Sequence, residues 1–422
     1  MNRTILSNSF WMIFEKVISI FGLIFVTSFV AKYVGPSVYG AIALSLSIFQ
    51  LIQIISQLGS DVIIFKRISR NERSGIKLIK TTMPLRMAIY VICSIPVLCY
   101  FYFVKASGFV FIFAAFLACF FLALDVYSIY YNARLKSKVN TVVNIIGLLI
   151  SLALRWLIAY FHYPVEWLAF PIVIAPLVPF ILRVLYFYSN SKFKVVSSRH
   201  KRVYRKYLLG AGSAFVFSSI SVALYTRMSI FLLGIMSGQI VVGVFSVAAT
   251  LSSAWSFIIY SFITSTLPSI FSEKNKKLAE IKTAKLNLTV IYISSIVILC
   301  AFFLTKPFLS IFYGPHYENA YALIIILSFS TMISALGNVS SRYIAYYSGY
   351  KFLSVKTAII VVISLFINYF LIRFLGGIGA AFATLIIEII SLTILNYFFS
   401  NGLVFKLHLV TMKNIFRRFS MF

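Results

Sequence analysis

Twelve long apolar runs, each of about 20 residues or more, decide what this chain can fold into, because a helix of that length satisfies its own backbone across roughly 30 Å of hydrocarbon. They cover residues 10–30, 40–65, 87–104, 109–131, 141–161, 166–188, 208–234, 239–270, 287–311, 321–347, 357–375 and 378–402. The runs are continuous and do not alternate, which excludes a membrane barrel. An all-α polytopic membrane protein is therefore expected. Composition agrees: 61% of the 422 residues are apolar and 11% are charged, where a soluble domain carries about a quarter charged. The longest runs, 40–65 and 239–270, are expected to tilt or kink, the second near Pro268. The first run carries Glu15 and Lys16 and is followed by no convincing cleavage site, so it reads as a retained span.

Lys and Arg number 38 against 9 Asp and Glu, a net charge of +29. A balance this basic is one mark of nucleic-acid binding, but its placement points to topology. The termini and the loops after even-numbered spans hold 29 of the cations, from Arg3 through Lys66–Arg86, Arg134–Lys138, Lys192–Lys206, Lys274–Lys285, Lys351 and Lys356 to Lys406–Arg418; the odd loops hold Lys32 and Lys105. The positive-inside rule then places both termini and the even loops in the cytoplasm, against anionic headgroups. No nucleic-acid partner is expected.

The odd loops are very short, leaving no room for the external domain that a membrane glycan polymerase or ligase needs. Cys93, Cys99, Cys119 and Cys300 lie inside apolar runs, and His162, His200, His316 and His408 are scattered without metal-ligand spacing. No GxxxxGK[ST] loop is present. The expectation is a protein without cofactor, metal or catalytic residues.

An internal repeat organises the chain. Val34-Gly35-Pro36-Ser37-Val38-Tyr39-Gly40 precedes one long apolar helix, and Ser237-Gly238-Gln239-Ile240-Val241-Val242-Gly243 precedes another, 203 residues later. Gly35, Pro36, Gly40, Gly238 and Gly243 are read as structural turn residues, glycine being the residue that accepts positive φ. Six spans per half give two six-helix lobes of the same orientation, related by a pseudo-two-fold axis along the membrane normal, as in many transporters. The expected divisions are a lobe at 1–188, a basic cytoplasmic loop at 189–207, a lobe at 208–402 and a basic cytoplasmic tail at 403–422. A third hairpin, Gly376 to Thr384, is rich in small residues and reads as close helix packing.

The stretch from Phe10 to Arg70, with Phe29-Val30-Ala31-Lys32-Tyr33-Val34-Gly35-Pro36, Tyr39-Gly40 and Leu58-Gly59, resembles the start of polysaccharide flippases of the multidrug/oligosaccharidyl-lipid/polysaccharide exporter superfamily. Val242-Gly243-Val244-Phe245-Ser246-Val247-Ala248 and Leu267-Pro268 agree in the second half. The resemblance implies a bacterial inner-membrane flippase that moves undecaprenyl-diphosphate-linked oligosaccharide repeat units, for O-antigen or a related surface polysaccharide, to the outer leaflet by ion-coupled alternating access. Membrane lipids, a polysaccharide polymerase and chain-length proteins are its implied partners. The rivals are a cation-coupled drug exporter of the same superfamily and a membrane polymerase or ligase.

Charges within the spans then acquire candidate roles, since an ionised group at the bilayer centre costs about 2.5–3.5 kcal/mol on insertion scales. Arg155 and Arg227 are deep and suit the diphosphate, with Arg183 and Arg342, nearer span ends, as entry contacts. Alternatively, Arg155 and Arg227 form structural ion pairs with Asp125 or Glu388. Asp125, Glu388 and Glu15 are candidates for carrying a coupling proton or sodium ion.

Overall fold

A computed structural model describes residues 3–105, 108–190 and 220–419, all helical or in turns. The helices are α1 (Arg3–Gln57), α2 (Ser60–Arg70), α3 (Glu72–Phe103), α4 (Phe109–Leu124), α5 (Tyr127–Ala133), α6 (Ser137–Tyr160) and α7 (Ala169–Asn190). After these come α8 (Ile220–Met236), α9 (Gln239–Ser253), α10 (Ser256–Phe271), α11 (Lys276–Phe308), α12 (Ala320–Tyr346), α13 (Tyr350–Leu392), α14 (Ile394–Tyr397) and α15 (Leu403–Phe419). Among the described residues, eight helical stretches are long and apolar enough to cross a membrane, or nine when the bent pair α9 and α10 is one span. The chain is thus a multi-pass, all-α membrane protein.

Two of these stretches exceed a single crossing. At about 1.5 Å per residue the 55 residues of α1 would reach roughly 80 Å, far beyond the hydrocarbon. Each long helix is broken at one glycine, Gly35 in α1 and Gly376 in α13. A Cβ built on Gly379 would meet Leu371 O at 2.0 Å, whereas positions eight apart in a continuous helix are about 12 Å apart. The α13 chain therefore doubles back at Gly376. In α1, Val26 and Val30 before the break and Val38, Ile42 and Leu46 after it pack on one cluster with Phe111, Ile158 and Ile172. Apolar α8 has a described length short of a crossing, and its expected start at residue 208 lies outside the described residues.

Gly35 (φ 73°, ψ 171°), Gly238 (φ 82°, ψ 175°) and Gly314 (φ 80°, ψ 177°) share one backbone state, a region open essentially to glycine alone. Each is followed by a new helical segment, and Pro follows two of them, at Pro36 and Pro315, where its fixed φ suits a first helical turn. Gly40 and Gly243 lie within regular helix. A second correspondence follows further along each unit. Asn71 accepts a hydrogen bond from Ser74 N at 3.1 Å to cap α3, and Asn275 accepts from Lys277 N at 3.0 Å to cap α11.

By contacts the chain divides into Met1–Leu224 and Tyr225–Phe422. Among the described residues the first unit has apolar cores centred on Tyr127 and Phe187, on Val30 and Phe111, and on Phe49 and Tyr90. The second is built around Ile259, Val290 and Val339, with smaller clusters at Tyr343 and Leu407 and at Ile360 and Ile387.

Four sequence expectations change. The kink in 239–270 falls at Ala254–Trp255, where α9 and α10 are bent by 40°, and helix continues past position 268. The run 40–65 stops at Gln57; Leu58 and Gly59 take positive φ and α2 starts anew. Residues 403–419 form α15, whose Leu407 is buried against Ala284 and Tyr343. Arg86 and Lys356, counted as loop cations, lie inside α3 and α13 and are only 1% and 6% exposed. The basic loop 189–207 lies outside the described residues from position 191 onward.

Candidate functional site

In the first unit the intramembrane charges form a stapled network. The α4 helix ends at Leu124 and α5 starts at Tyr127, so Asp125 sits in a break where its Oδ1 accepts from Ser128 N at 3.3 Å. Arg183 on α7, 3% exposed, meets Asp125 Oδ2 through Nη1, donates to Asn140 Oδ1 through Nε at 3.0 Å and donates to Asn144 Oδ1 through Nη2. Asn144 Nδ2 in turn donates to Glu15 Oε1 at 2.8 Å, and Asn140 Nδ2 donates to Ser128 O and Asn132 Oδ1, each at 2.8 Å. The chain Asp125, Arg183, Asn144, Glu15 links the α4–α5 break to α7, α6 and α1. A buried ion pair is tolerable when its remaining donors and acceptors are satisfied in this way. Arg183 is therefore a buried partner of Asp125, not a cation snorkelling at a span end.

A second staple stands beside it. Arg86 pairs with Asp61, donates to Ser60 Oγ from Nη2 at 2.6 Å and donates to Ala123 O from Nη1 at 3.0 Å. Ala123 lies in the last turn of α4, where carbonyls lose their helical partners. Arg86 also adds its field to that of Arg183 at Asp125. Arg155, half-buried on α6 eleven residues beyond Asn144, stands apart from this network by about 16 Å of helix. It makes no ion pair with a described residue, and the Tyr39 phenol is its ionisable neighbour.

The second unit gathers polar groups around α13. The carboxylate of Glu388 has Ser334 of α12 and Lys356, from the other arm of α13, as polar neighbours, with the phenols of Tyr225 on α8 and Tyr260 on α10 nearby. Lys356 Nζ donates to Asn396 Oδ1 at 2.9 Å. Ser229 on α8 donates to Asn368 Oδ1 at 2.8 Å and stands 3.1 Å from Thr384 Oγ1. Tyr225 and Ser229, four residues apart, share the face of α8 turned to α13, whereas half-buried Arg227 is turned about 200° from Tyr225 around the helix. The geometry therefore does not join Arg227 to Glu388. Arg342 is exposed on the stripe of α12 that carries Ser334 and Asn338, and makes no ion pair with a described residue.

Of the charges singled out in the sequence, the structure brings together Asp125, Arg183 and Glu15. Arg86 and Lys356 were missed because each borders an apolar run, where a hydropathy reading ends the span; the helices continue past that edge. Among the described residues no group of three or more His, Cys, Asp or Glu could hold a metal.

Paired buried charges, half-buried arginines and helices interrupted at matched glycines characterise a polytopic helical membrane fold. Solved structures share it. A multidrug resistance MATE family transporter of the MOP superfamily, in its inward-facing conformation, superimposes with a TM-score of 0.70 at 15% identity, covering 88% of this chain and 92% of that one. The lipid II flippase MurJ, inward closed, gives 0.67 at 15% identity over 98% and 92%. A MOP superfamily transporter from Pyrococcus furiosus, noted for the reverse polarity of its binding pocket, gives 0.55 at 12% identity over 96% and 93%. No curated protein sequence matches the chain. Residues 5–274 match the family described as polysaccharide biosynthesis protein, and the chain belongs to that family.

Proposed function

We propose that the protein is a flippase for a lipid-linked oligosaccharide, carrying undecaprenyl-diphosphate-linked repeat units of O-antigen or a related polysaccharide from the cytoplasmic to the outer leaflet of a bacterial inner membrane. The observation that carries this reading is membership of a polysaccharide biosynthesis family on a fold shared with a lipid II flippase. The basic even loops support cytoplasmic termini. Two six-helix lobes at 1–188 and 208–402 alternate access. Arg155, Arg227 and Arg342 present guanidinium forks to the diphosphate, as planar multiple donors suit phosphate oxygens. Arg183 joins them only by releasing Asp125. Glu388, with Lys356 close by, is the leading carrier of the coupling proton or sodium ion; Asp125 and Glu15 are the others. A polysaccharide polymerase and chain-length proteins act downstream.

A strain lacking the gene tests this. Single repeat units should accumulate on their carrier, with surface glycan lost, and the wild-type gene but not Arg155→Ala should restore both. Unchanged glycan with heightened sensitivity to cationic drugs would contradict the substrate. That result would favour the second reading, a drug exporter, which the shared multidrug transporter fold supports.

A further inference from the structure

The second unit holds a crevice of about 1020 Å³ on the membrane face opposite the basic loops, where the α8–α9 turn, the α11–α12 loop and the α13 break meet. Its lining combines apolar side chains, among them Val241, Val244, Leu323 and Ile378, with the polar Lys306, Ser310, Glu318 and Asn319. Gly377 allows the wall to close, since a Cβ there would meet Val241 at 3.0 Å.

Three features define what fits. First, Lys306 is held in place: its Nζ lies 4.9 Å from the Tyr321 ring centroid, and the Tyr321 hydroxyl donates to Phe302 O at 3.2 Å. Second, Lys306 and Glu318 are both exposed and both line the crevice, and no ion pair joins them. Third, Leu304, Ile311 and Phe374, close in sequence to the lining residues Lys306, Ser310 and Leu375, have 62%, 65% and 77% of their surface exposed, as side chains that face hydrocarbon do.

A crevice that combines apolar side chains with one exposed cation and one exposed anion is complementary to a molecule with a chain and a head carrying both charges. The geometry points to a binding site for a zwitterionic phospholipid of the phosphoethanolamine type, its phosphate on Lys306, its primary ammonium on Glu318 and an acyl chain along Val241, Val244 and Leu323. Anionic phosphatidylglycerol offers only the phosphate and leaves Glu318 facing an uncompensated negative charge. Lipid held here packs against the two turns and the break that close this end of the unit, which ties the outer-face geometry to headgroup chemistry. This inference is independent of the transported substrate.

The test is native mass spectrometry of the full-length protein equilibrated in equimolar phosphatidylethanolamine and phosphatidylglycerol. Wild-type protein should retain phosphatidylethanolamine over phosphatidylglycerol by up to roughly fivefold, the ratio one exposed charge contact supports. Glu318→Gln should abolish that preference, and Lys306→Gln should lower retention of both lipids. Because both side chains are exposed, neither change should disturb folding, and the wild-type competition needs no variant. Preferential retention of phosphatidylglycerol by the wild type, or retention unchanged in both variants, would overturn the assignment.

Discussion

Arg183 illustrates what a cation inside a span requires. Its guanidinium uses Nη1, Nε and Nη2 on Asp125, Asn140 and Asn144, so its charge and most of its donors are satisfied without water. Removing one partner of such a pair leaves the other charge stranded, a loss of about 3–5 kcal/mol. Arg183→Ala and Asp125→Asn should each sharply lower the melting temperature of the purified protein, and the double variant should be less destabilised than the sum of the two. Additive losses in that double-mutant cycle would show that the pair is not coupled. The sequence shows that Asp125 and Arg183 are intramembrane charges, because apolar residues surround both. It does not show that they meet, since 58 residues and several helices separate them and no local spacing encodes contacts across a bundle. Arg155 and Arg342 are different: neither is held by a described acid, so each can be neutralised without stranding a buried partner. Arg155→Ala should therefore leave accumulation and melting temperature near the wild-type values while abolishing surface glycan.

At the scale of elements, the breaks carry the fold. Gly35 and Gly238 share a backbone state that a Cβ disfavours, and neither has a heavy atom within 4 Å of a built Cβ. Gly238→Ala should therefore cost about 1–3 kcal/mol through backbone strain alone, measured as a lowered melting temperature. Gly147 is the contrasting case, because its Cβ would meet Pro179 at 2.5 Å on α7. Gly147→Ala should destabilise through steric displacement of that helix contact. The turn glycines were legible because a repeated spacing announced them. The α4–α5 break at Asp125 was not, since nothing in an apolar run marks where a helix is interrupted for a polar network elsewhere. The C-terminal α15 was likewise read as a tail, because its apolar face, with Val404 and Leu407, is interleaved with Lys406 and Lys413. On that helix His408 is half-buried, with Tyr397 Oη 3.0 Å from Nδ1 and Ser340 Oγ 3.3 Å from Nε2. Burial lowers its pKa from 6.5 to about 4. The unfolded chain thus binds the proton first, and stability present above pH 6.5 should fall as pH drops toward 4. His408→Gln should flatten that part of the melting profile; an unchanged slope would show that His408 is not its source.

At the scale of the molecule, the membrane class and all-helical architecture were legible from apolar runs alone, since bilayer thickness fixes segment length; of the twelve expected crossings, eight or nine stand as long apolar helical stretches among the described residues. The expected duplication rests on the paired glycines, to which the helix-start geometry adds the paired caps Asn71 and Asn275. The transported molecule is not encoded so directly. A fold shared at 15% identity by a drug transporter and a lipid flippase does not choose between an organic cation and a diphosphate lipid. On the proposed reading the choice lies with cations such as Arg155 and Arg342, which make no ion pair with a described residue. The most direct measurement is made on purified protein in proteoliposomes containing an undecaprenyl-diphosphate-linked oligosaccharide, following its accessibility to a membrane-impermeant glycosidase in each leaflet with and without an imposed proton or sodium gradient. Protein-dependent movement of the lipid-linked oligosaccharide, accelerated by one gradient and lost in Arg155→Ala, is expected. Equal leaflet accessibility kinetics with and without protein, under either gradient, would contradict the proposed flippase activity.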